Sequence, residues 1–279
     1  MSIMKIPHTL NIISLCWQQA EENLQEKIQK YYPRKGEEFI TEQFHGMFAE
    51  ILDLASQDKK IERAFSRDLR KAFPDVHSYD IDKISRGLIA QAILHKRKTE
   101  ETTGADIGLA INRPAIENHG NIFKINSYRR GLLCQAKLRK VNKKWNTFTE
   151  TQEKVLADRL DYLGLLLYKY VDKERRELKP FQWQLCQGAS NIVEVTNWLK
   201  AGEFPSTLES EKIIKALGEG RIGTSDKKIL DEFITPEKNT SLEIIIKWDD
   251  DAKKPGSEIR TYTTGENKHE NEQSVFIKR

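Results

Sequence analysis

The sequence has few cysteines and no long apolar run, and each shortage restricts what the chain can be. Its 279 residues include three cysteines, Cys16, Cys134 and Cys186, which lie far apart and show no zinc-ligand spacing. We therefore expect buried, reduced thiols in a cytoplasmic protein. No apolar run reaches the length of a membrane span, and the first residues lack the pattern of a secretory signal. We expect no association with a membrane.

Several familiar catalytic and nucleotide-binding patterns are also missing. No glycine-rich segment ends in Gly-Lys-Ser or Gly-Lys-Thr, and no Gly-x-Ser-x-Gly motif is present. No two of the six histidines have the i, i+4 spacing of a metal site. Gly218-x-Gly220-x-x-Gly223 matches a dinucleotide-binding motif in its letters, but it follows a helical pattern rather than a strand. We interpret these glycines as the end of a helix.

The charge is nearly balanced overall, so its distribution matters more than its sum. There are 46 lysines and arginines against 42 aspartates and glutamates, which gives a formal net charge of +4. A basic cluster lies within one short stretch: Arg129, Arg130, Lys137, Arg139, Lys140, Lys143 and Lys144. Either a solvated face or a surface that follows phosphates would explain this cluster.

Apolar periodicity predicts helices followed by strands. Helical spacing covers 9–30, a segment that starts near Thr41, 59–73, 80–94, 149–160, 181–199 and 206–217, where Ser206 and Glu209 form a possible capping box. Strand patterns cover 104–111, 128–138, 162–171 and 242–248, with weaker ones at 259–263 and 274–277, and 112–127 is predicted to be a loop. This order predicts an α+β or α/β fold in which helices cover a sheet. We divide the chain into an N-terminal helical segment (1–35), a core (36–200) and a C-terminal appendage (201–279).

Two apolar strand patterns carry polar residues whose burial would be costly. Asp106 interrupts the first pattern, and Gln135 and Lys137 interrupt the second. Since alternate residues of a strand share a face, Gln135 and Lys137 should point together, away from Cys134 and Ala136. Oxygen atoms from Asp106, Gln135 and the Ala136 carbonyl would suit Mg²⁺ beside a phosphodiester. Lys137 would stabilise charge that develops on the phosphate.

These residues carry a resemblance to a known family. Gly104-Ala105-Asp106 followed by Gln135-Ala136-Lys137 resembles the PD-(D/E)xK nuclease superfamily, and within it the Mrr-type branch, where glutamine replaces an acid. It is also similar to nuclease subunits of bacterial anti-phage systems. The resemblance covers about 37–171. It implies a restriction-endonuclease-like core, a mixed sheet flanked by helices, and a Mg²⁺ or Mn²⁺ cofactor.

The family also takes an acid from a preceding helix. Glu38, Glu42 and Glu50 are the candidates here, and we favour Glu42; Glu101, just before the first strand, is a further possible ligand. Gln135 in place of an acid removes one negative charge, which should weaken metal binding unless another group compensates.

Two functions are left open by the sequence. The first is a metal-dependent DNA endonuclease that acts as the effector of an anti-phage complex with a helicase or ATPase partner. In this function DNA would be contacted by Trp145 and by the basic cluster, in particular Arg130, Arg139, Lys140, Lys143 and Lys144. The second is a catalytically weak or inactive subunit of the same fold that binds nucleic acid or a partner. A homo-oligomer is compatible with either. Trp183 and Trp198 are interpreted as the packed face of one helix.

Overall fold

The computed structural model describes residues 4–32, 35–95, 107–119, 122–139, 144–171, 177–234, 241–249, 259–262 and 273–277. These residues form a mixed sheet flanked by helices, which confirms the predicted α+β class. The helices are α1 (Pro7–Tyr31), α2 (Glu37–Gln57), α3 (Lys60–Ala72), α4 (Ser78–Ser85), α5 (Glu150–Leu156), α6 (Ile192–Ala201), α7 (Ser210–Gly218) and α8 (Lys227–Ile234). The strands are β1 (Leu88–His95), β2 (Ile107–His119), β3 (Ile122–Arg139), β4 (Leu163–Lys169), β5 (Gln182–Leu185), β6 (Thr207–Glu209), β7 (Ser241–Trp248), β8 (Ile259–Tyr262) and β9 (Gln273–Ile277).

The sheet is arranged around the long strand β3. Within the described residues the strand order is β1-β7-β2-β3-β4-β5-β6, and β9 pairs with both β3 and β8. Strands β2 and β3 form an antiparallel hairpin that runs from the pair Ile107 and Cys134 to the pair His119 and Ile122. The β2–β7 and β3–β4 pairs are parallel. Strand β3 is therefore paired along its whole length, with β2 over 122–134, with β9 over 122–125 and with β4 over 133–139.

Helices cover both faces of the sheet and create two separate apolar cores. The larger core lies between one face and the α1, α2, α3, α4 and α7 layer, and it includes Cys134 and Ala136 of β3. The smaller core lies between the other face and the α5, α6 and α8 layer, and it includes Leu133 of β3 with Leu165 and Leu167 of β4. Alternate residues of β3 thus enter different cores.

Helix α1 forms because its apolar residues recur at three- and four-residue intervals. Leu10, Ile13, Trp17 and Leu24 are all buried on one side. The Trp17 ring lies 4.5 Å from that of Phe44 on α2, measured between centroids. This aromatic contact joins α1 to α2 within the larger core, where tilted ring pairs add stability beyond the buried area.

The predicted helix over 80–94 is wrong in its second half. Helix α4 ends at Ser85, and Leu88 begins the strand β1. Between them Gly87 has φ of 74°, a backbone conformation that favours glycine. The Gly87 N–H donates to Glu62 Oε2 at 2.7 Å. The helical spacing of apolar residues continues past this turn in the sequence. The residues after the turn nevertheless form a strand, because they pair with β7, which is remote in sequence.

Four further sequence predictions need correction. The segment 181–199 contains strand β5 and helix α6, so Trp183 and Trp198 do not share a helix. The residues 112–119 and 122–127, predicted as a loop, belong to strands β2 and β3. Ser206 is not part of a capping box, because α7 begins at Ser210 without a side-chain cap and the Ser206 N–H donates to Gln184 Oε1. The second helix begins at Glu37 rather than near Thr41.

The stretch 201–279 contributes to the centre of the fold, whereas we expected an appendage. Strand β7 lies between β1 and β2, and Leu242 and Ile244 are buried in the larger core. Helix α7 packs against α1, and Ile213 and Leu217 enter the same core. The sheet needs β7 to connect β1 to β2, so these residues complete the core.

The glycines of the Gly218-x-Gly220-x-x-Gly223 motif do lie at a helix end, as predicted. Helix α7 ends at Gly218, and the Arg221 N–H donates to the Ala216 carbonyl at 2.8 Å beyond it. Gly223 has φ of 74°, and a Cβ atom there would lie 2.3 Å from the Gly131 carbonyl oxygen. The turn therefore packs directly on β3. No helix in the described ranges is both long and apolar enough to cross a bilayer.

Helix α1 is tied to the start of β5 and to α7 by a buried carboxyl group. Glu21 accepts hydrogen bonds from Trp17 Nε1 at 2.7 Å, from the Phe181 N–H at 3.1 Å and from the Ser210 hydroxyl. Burial raises the pKa of Glu21 from 4.5 to about 7, although these donors favour the charged form. The folded chain thus holds this proton more tightly than the unfolded chain.

We predict that Glu21 makes the fold less stable as the pH rises. An acid with a raised folded-state pKa contributes its full stability below the unfolded value, and this contribution is lost as the pH rises towards about 7. The loss amounts to roughly 3 kcal/mol in the free energy of unfolding. Urea unfolding of wild type and Glu21→Gln across this range measures it. The glutamine variant should lack this part of the pH dependence, and identical pH profiles would contradict the prediction.

Candidate active site

Gln135 and Lys137 share one face of β3, as predicted. Their side chains are 1% and 4% exposed. They alternate with Cys134 and Ala136, which enter the larger core. In the parallel pair with β4, Gln135 lies opposite Leu165 and Lys137 lies opposite Leu167, both members of the smaller core. The two polar side chains therefore enter the layer formed by α5, α6 and α8.

An aromatic ring covers the charged end of Lys137. Its Nζ lies 5.0 Å from the centroid of the Phe148 ring. Phe148 directly precedes α5, whose start is fixed by a capping box in which Thr149 and Gln152 exchange side-chain and backbone hydrogen bonds. A desolvated cation over a ring gains on the order of 2 kcal/mol. The capped start of α5 therefore positions the ring that packs on Lys137.

Asp106, the acid of the predicted site, lies outside the described residues, as does Glu101. The hairpin is described from Ile107, which pairs with Cys134. Gly108 and Ala110 of β2 are buried, and Ala110 belongs to the same core as Leu133. Beyond Cys134, β3 continues beside β4 through Arg139. Gln135 is thus the first residue of β3 past the described end of β2.

The helix acids are not brought together with Gln135 and Lys137. Helix α2 packs on the other face of the sheet, where the Thr41 hydroxyl hydrogen-bonds with the Tyr168 hydroxyl at 3.0 Å. Tyr168 and Ala136 both belong to the larger core. Glu42 is exposed on the outer side of α2, and Glu38 and Glu50 are exposed too. The sheet therefore separates Glu42 from the two polar residues of β3.

The oxygen donors on β3 have the chemistry that a hard cation prefers. Gln135 Oε1 is a buried amide oxygen, and the Ala136 carbonyl belongs to the same stretch of strand. Among the described residues, no three His, Cys, Asp or Glu side chains are grouped as a metal site. Glu42, on the other side of the sheet, is not part of this donor set.

The basic cluster is divided between the two faces of the sheet. Arg130 donates to the carbonyls of Ile222 and Gly223 at 2.6 and 2.8 Å, so its guanidinium holds the turn after α7. Arg139 lies at the end of β3, partly buried, and Lys144 is exposed. Lys140 and Lys143 lie outside the described residues. The described members do not form one continuous surface.

Trp145 does not offer an exposed ring for base stacking. It is 7% exposed, and its ring lies 5.6 Å from that of Phe204. Residue 145 also forms a bridge with Arg139 of β3. The structure therefore assigns this tryptophan to the smaller core.

Two buried charged residues of the sheet were missed in the sequence. Glu243 of β7 is 5% exposed and accepts a hydrogen bond from Arg129 Nε at 2.9 Å. Arg113 of β2 donates to the carbonyls of Gly218, Met4 and Pro114, and its guanidinium lies 4.5 Å from the centroid of the Tyr128 ring. Burial lowers the pKa of Arg113 to about 10. The signal in the sequence for Glu243 was that an acid interrupts an apolar strand pattern.

Comparisons with protein-family models, curated proteins and solved structures find no match to this chain.

We predict that Lys137 is protected from amine acetylation in the native chain. Its 4% exposure and the ring of Phe148 keep reagent from the amine, whereas Lys228 of α8 is exposed. Lys137 should react at least about tenfold more slowly than Lys228, because its labelling requires local opening. Peptide mass spectrometry after brief labelling measures both rates. Phe148→Leu should raise the rate at Lys137 alone; equal rates in the wild type would contradict the burial.

Proposed function

We propose that this protein is a metal-dependent DNA endonuclease whose site is formed by Asp106, Gln135 and Lys137. The observation that supports it best is the shared, buried placement of Gln135 and Lys137 on one face of β3. Burying a glutamine and a lysine inside a sheet has a desolvation cost, and a functional role would explain why the chain carries them there. The resemblance of the Asp106 and Gln135-x-Lys137 pattern to Mrr-type nucleases supplies that role.

The strand register supports Asp106 as the third member. Ile107 pairs with Cys134 in the antiparallel hairpin. One step further along this ladder, the corresponding pair would be Asp106 and Gln135. Directly opposed residues in such a pair have side chains that interact, so a carboxylate and an amide oxygen would approach one cation. We propose this pairing for Asp106, which lies outside the described residues.

Each residue would have a separate chemical task. Mg²⁺, when bound, would polarise the phosphate and make a bound water more acidic. Asp106 would supply the negative charge that holds the cation, and Gln135 and the Ala136 carbonyl would supply neutral oxygens. Lys137 would place a fixed positive charge beside the phosphate oxygens as negative charge develops. The cover formed by Phe148 would need to move aside for a phosphodiester to reach Lys137.

The biological setting is part of the same proposal. The resemblance to anti-phage nuclease subunits favours a cytoplasmic effector in a defence complex. No Gly-Lys-Ser or Gly-Lys-Thr motif occurs in the sequence, so a partner helicase or ATPase would supply any ATP-driven step that uses such a site.

A second candidate function is a subunit of the same fold that binds nucleic acid or a partner protein without cutting. The observation that favours it is the near-complete burial of Gln135 and Lys137, which closes both side chains off from a large substrate. Under this hypothesis the wild-type chain binds DNA but never cleaves it with Mg²⁺ or Mn²⁺.

We predict that the chain nicks supercoiled plasmid DNA in the presence of Mg²⁺. Asp106→Ala and Lys137→Ala should each slow cleavage by about 100-fold or more, since each removes a group that stabilises charge in the transition state. Glu42→Ala is the matched control and should cut like the wild type, because Glu42 lies across the sheet. Gel electrophoresis of timed samples measures the rates. Equal cutting by all four proteins would show that the assigned site is wrong.

A further inference from the structure

A groove between α3 and α4 carries a concentration of exposed arginines. Its volume is about 270 Å³, and Arg63, Arg67, Arg70 and Arg86 line it. The first three follow each other on α3 at four- and three-residue spacing, which places them along one side of the helix. All four are exposed to solvent. The groove therefore presents a row of guanidinium groups about 10 Å long.

The two carboxylates in this groove are already engaged. Glu62 Oε2 accepts the Gly87 N–H, and Asp82 Oδ1 accepts from Ser66 at 3.0 Å and from Arg70 at 2.6 Å. The hydrogen bond from Arg70 lowers the pKa of Asp82, so this group is ionised at neutral pH. Two carboxylates face four guanidiniums, and the groove keeps an excess of positive charge.

Two of the arginines have donors available for a ligand. Arg63 donates to the carbonyls of Asp58 and Lys59, and Arg70 is paired with Asp82. The guanidinium groups of Arg67 and Arg86 form no hydrogen bond or salt bridge with any described residue, although the charge of Arg86 helps to lower the pKa of Asp82. A guanidinium binds carboxylate or phosphate through a fork of parallel N–H donors. The groove is thus prepared for anions at Arg67 and Arg86.

We propose that this groove binds the phosphodiester backbone of a nucleic acid. A row of guanidiniums suits a polymer with regularly repeated anions better than a single small anion. No large apolar side chain lines the groove, whereas the buried centre of a protein–protein interface is more apolar than the rest of the protein surface. An acidic protein segment is therefore the less suitable occupant.

This surface is separate from the proposed cleavage site. Helix α3 contributes Ile61, Phe65 and Leu69 to the larger core, whereas Gln135 and Lys137 enter the smaller one on the other side of the sheet. The inference does not depend on hydrolysis, because a chain that binds DNA without cutting it would use the groove in the same way.

The test is fluorescence anisotropy of a labelled DNA duplex with the full chain, in EDTA so that no cleavage intervenes. Arg67→Gln combined with Arg86→Gln should weaken binding by about tenfold or more at low salt. The slope of log K against log salt should become shallower by about 2, since each lost phosphate contact removes about 0.9. Neither side chain forms a hydrogen bond or salt bridge with a described residue, so circular dichroism and thermal unfolding should match the wild type.

A matched control keeps the change in net charge the same. Lys227→Gln combined with Lys228→Gln removes two exposed positive charges from α8 and should leave affinity and salt slope within about twofold of wild type. A salt slope unchanged by the arginine substitutions would overturn the proposal. So would an equal loss in the lysine control, absence of DNA binding by the wild type, or arginine-dependent binding of labelled poly-glutamate in place of DNA.

Discussion

The alternation of side chains along β3 is the constraint on which the rest of the structure depends. This 18-residue strand pairs with β2, β4 and β9, and it is covered by helices on both faces. A strand buried on both sides must satisfy two cores at once. A shift of register by one residue would exchange Cys134 and Ala136 with Gln135 and Lys137 between those cores, so the register is strongly specified.

Because the two faces of the sheet belong to different cores, the proposed cleavage site and the proposed DNA-binding groove lie on different sides of the sheet. The α1 and α2 layer is rich in aromatic contacts, and its buried Glu21 and Thr41 are hydrogen-bonded within the fold. The opposite layer contains Gln135 and Lys137. The arginine groove lies outside the first layer, between α3 and α4. Chemistry and nucleic-acid attachment would therefore use opposite sides of one sheet.

The sequence predicted those elements whose pattern is local. Helices α1 and α3 and strands β4 and β7 were found because apolar spacing alone defines them. The shared face of Gln135 and Lys137 followed from the two-residue period of a strand. These predictions required no knowledge of which segments meet in space.

The rest depended on long-range contacts that a single sequence does not reveal. Leu88 continues the spacing of α4, and only the turn at Gly87 and the distant partner β7 make it part of a strand. Arg113 looked like a loop residue because the carbonyls that satisfy it, at Gly218 and Met4, are remote in the chain. Glu42 was chosen for its position near a helix start, and the layer in which that helix packs was not predictable. The Asp106 pairing stays a prediction.

Calorimetric titration of Mn²⁺ is the most direct test that Asp106 and Gln135 form a cation site on the face of the sheet away from α2. The wild type should bind Mn²⁺ with a measurable heat, and Asp106→Ala should lose most of that affinity. Gln135→Ala should weaken Mn²⁺ binding by about 10–100-fold, the range seen when a group that supports a metal site is removed. Glu42→Ala should bind like the wild type. Wild-type binding that survives in Asp106→Ala but disappears in Glu42→Ala would contradict this assignment, as would a wild type that binds no Mn²⁺.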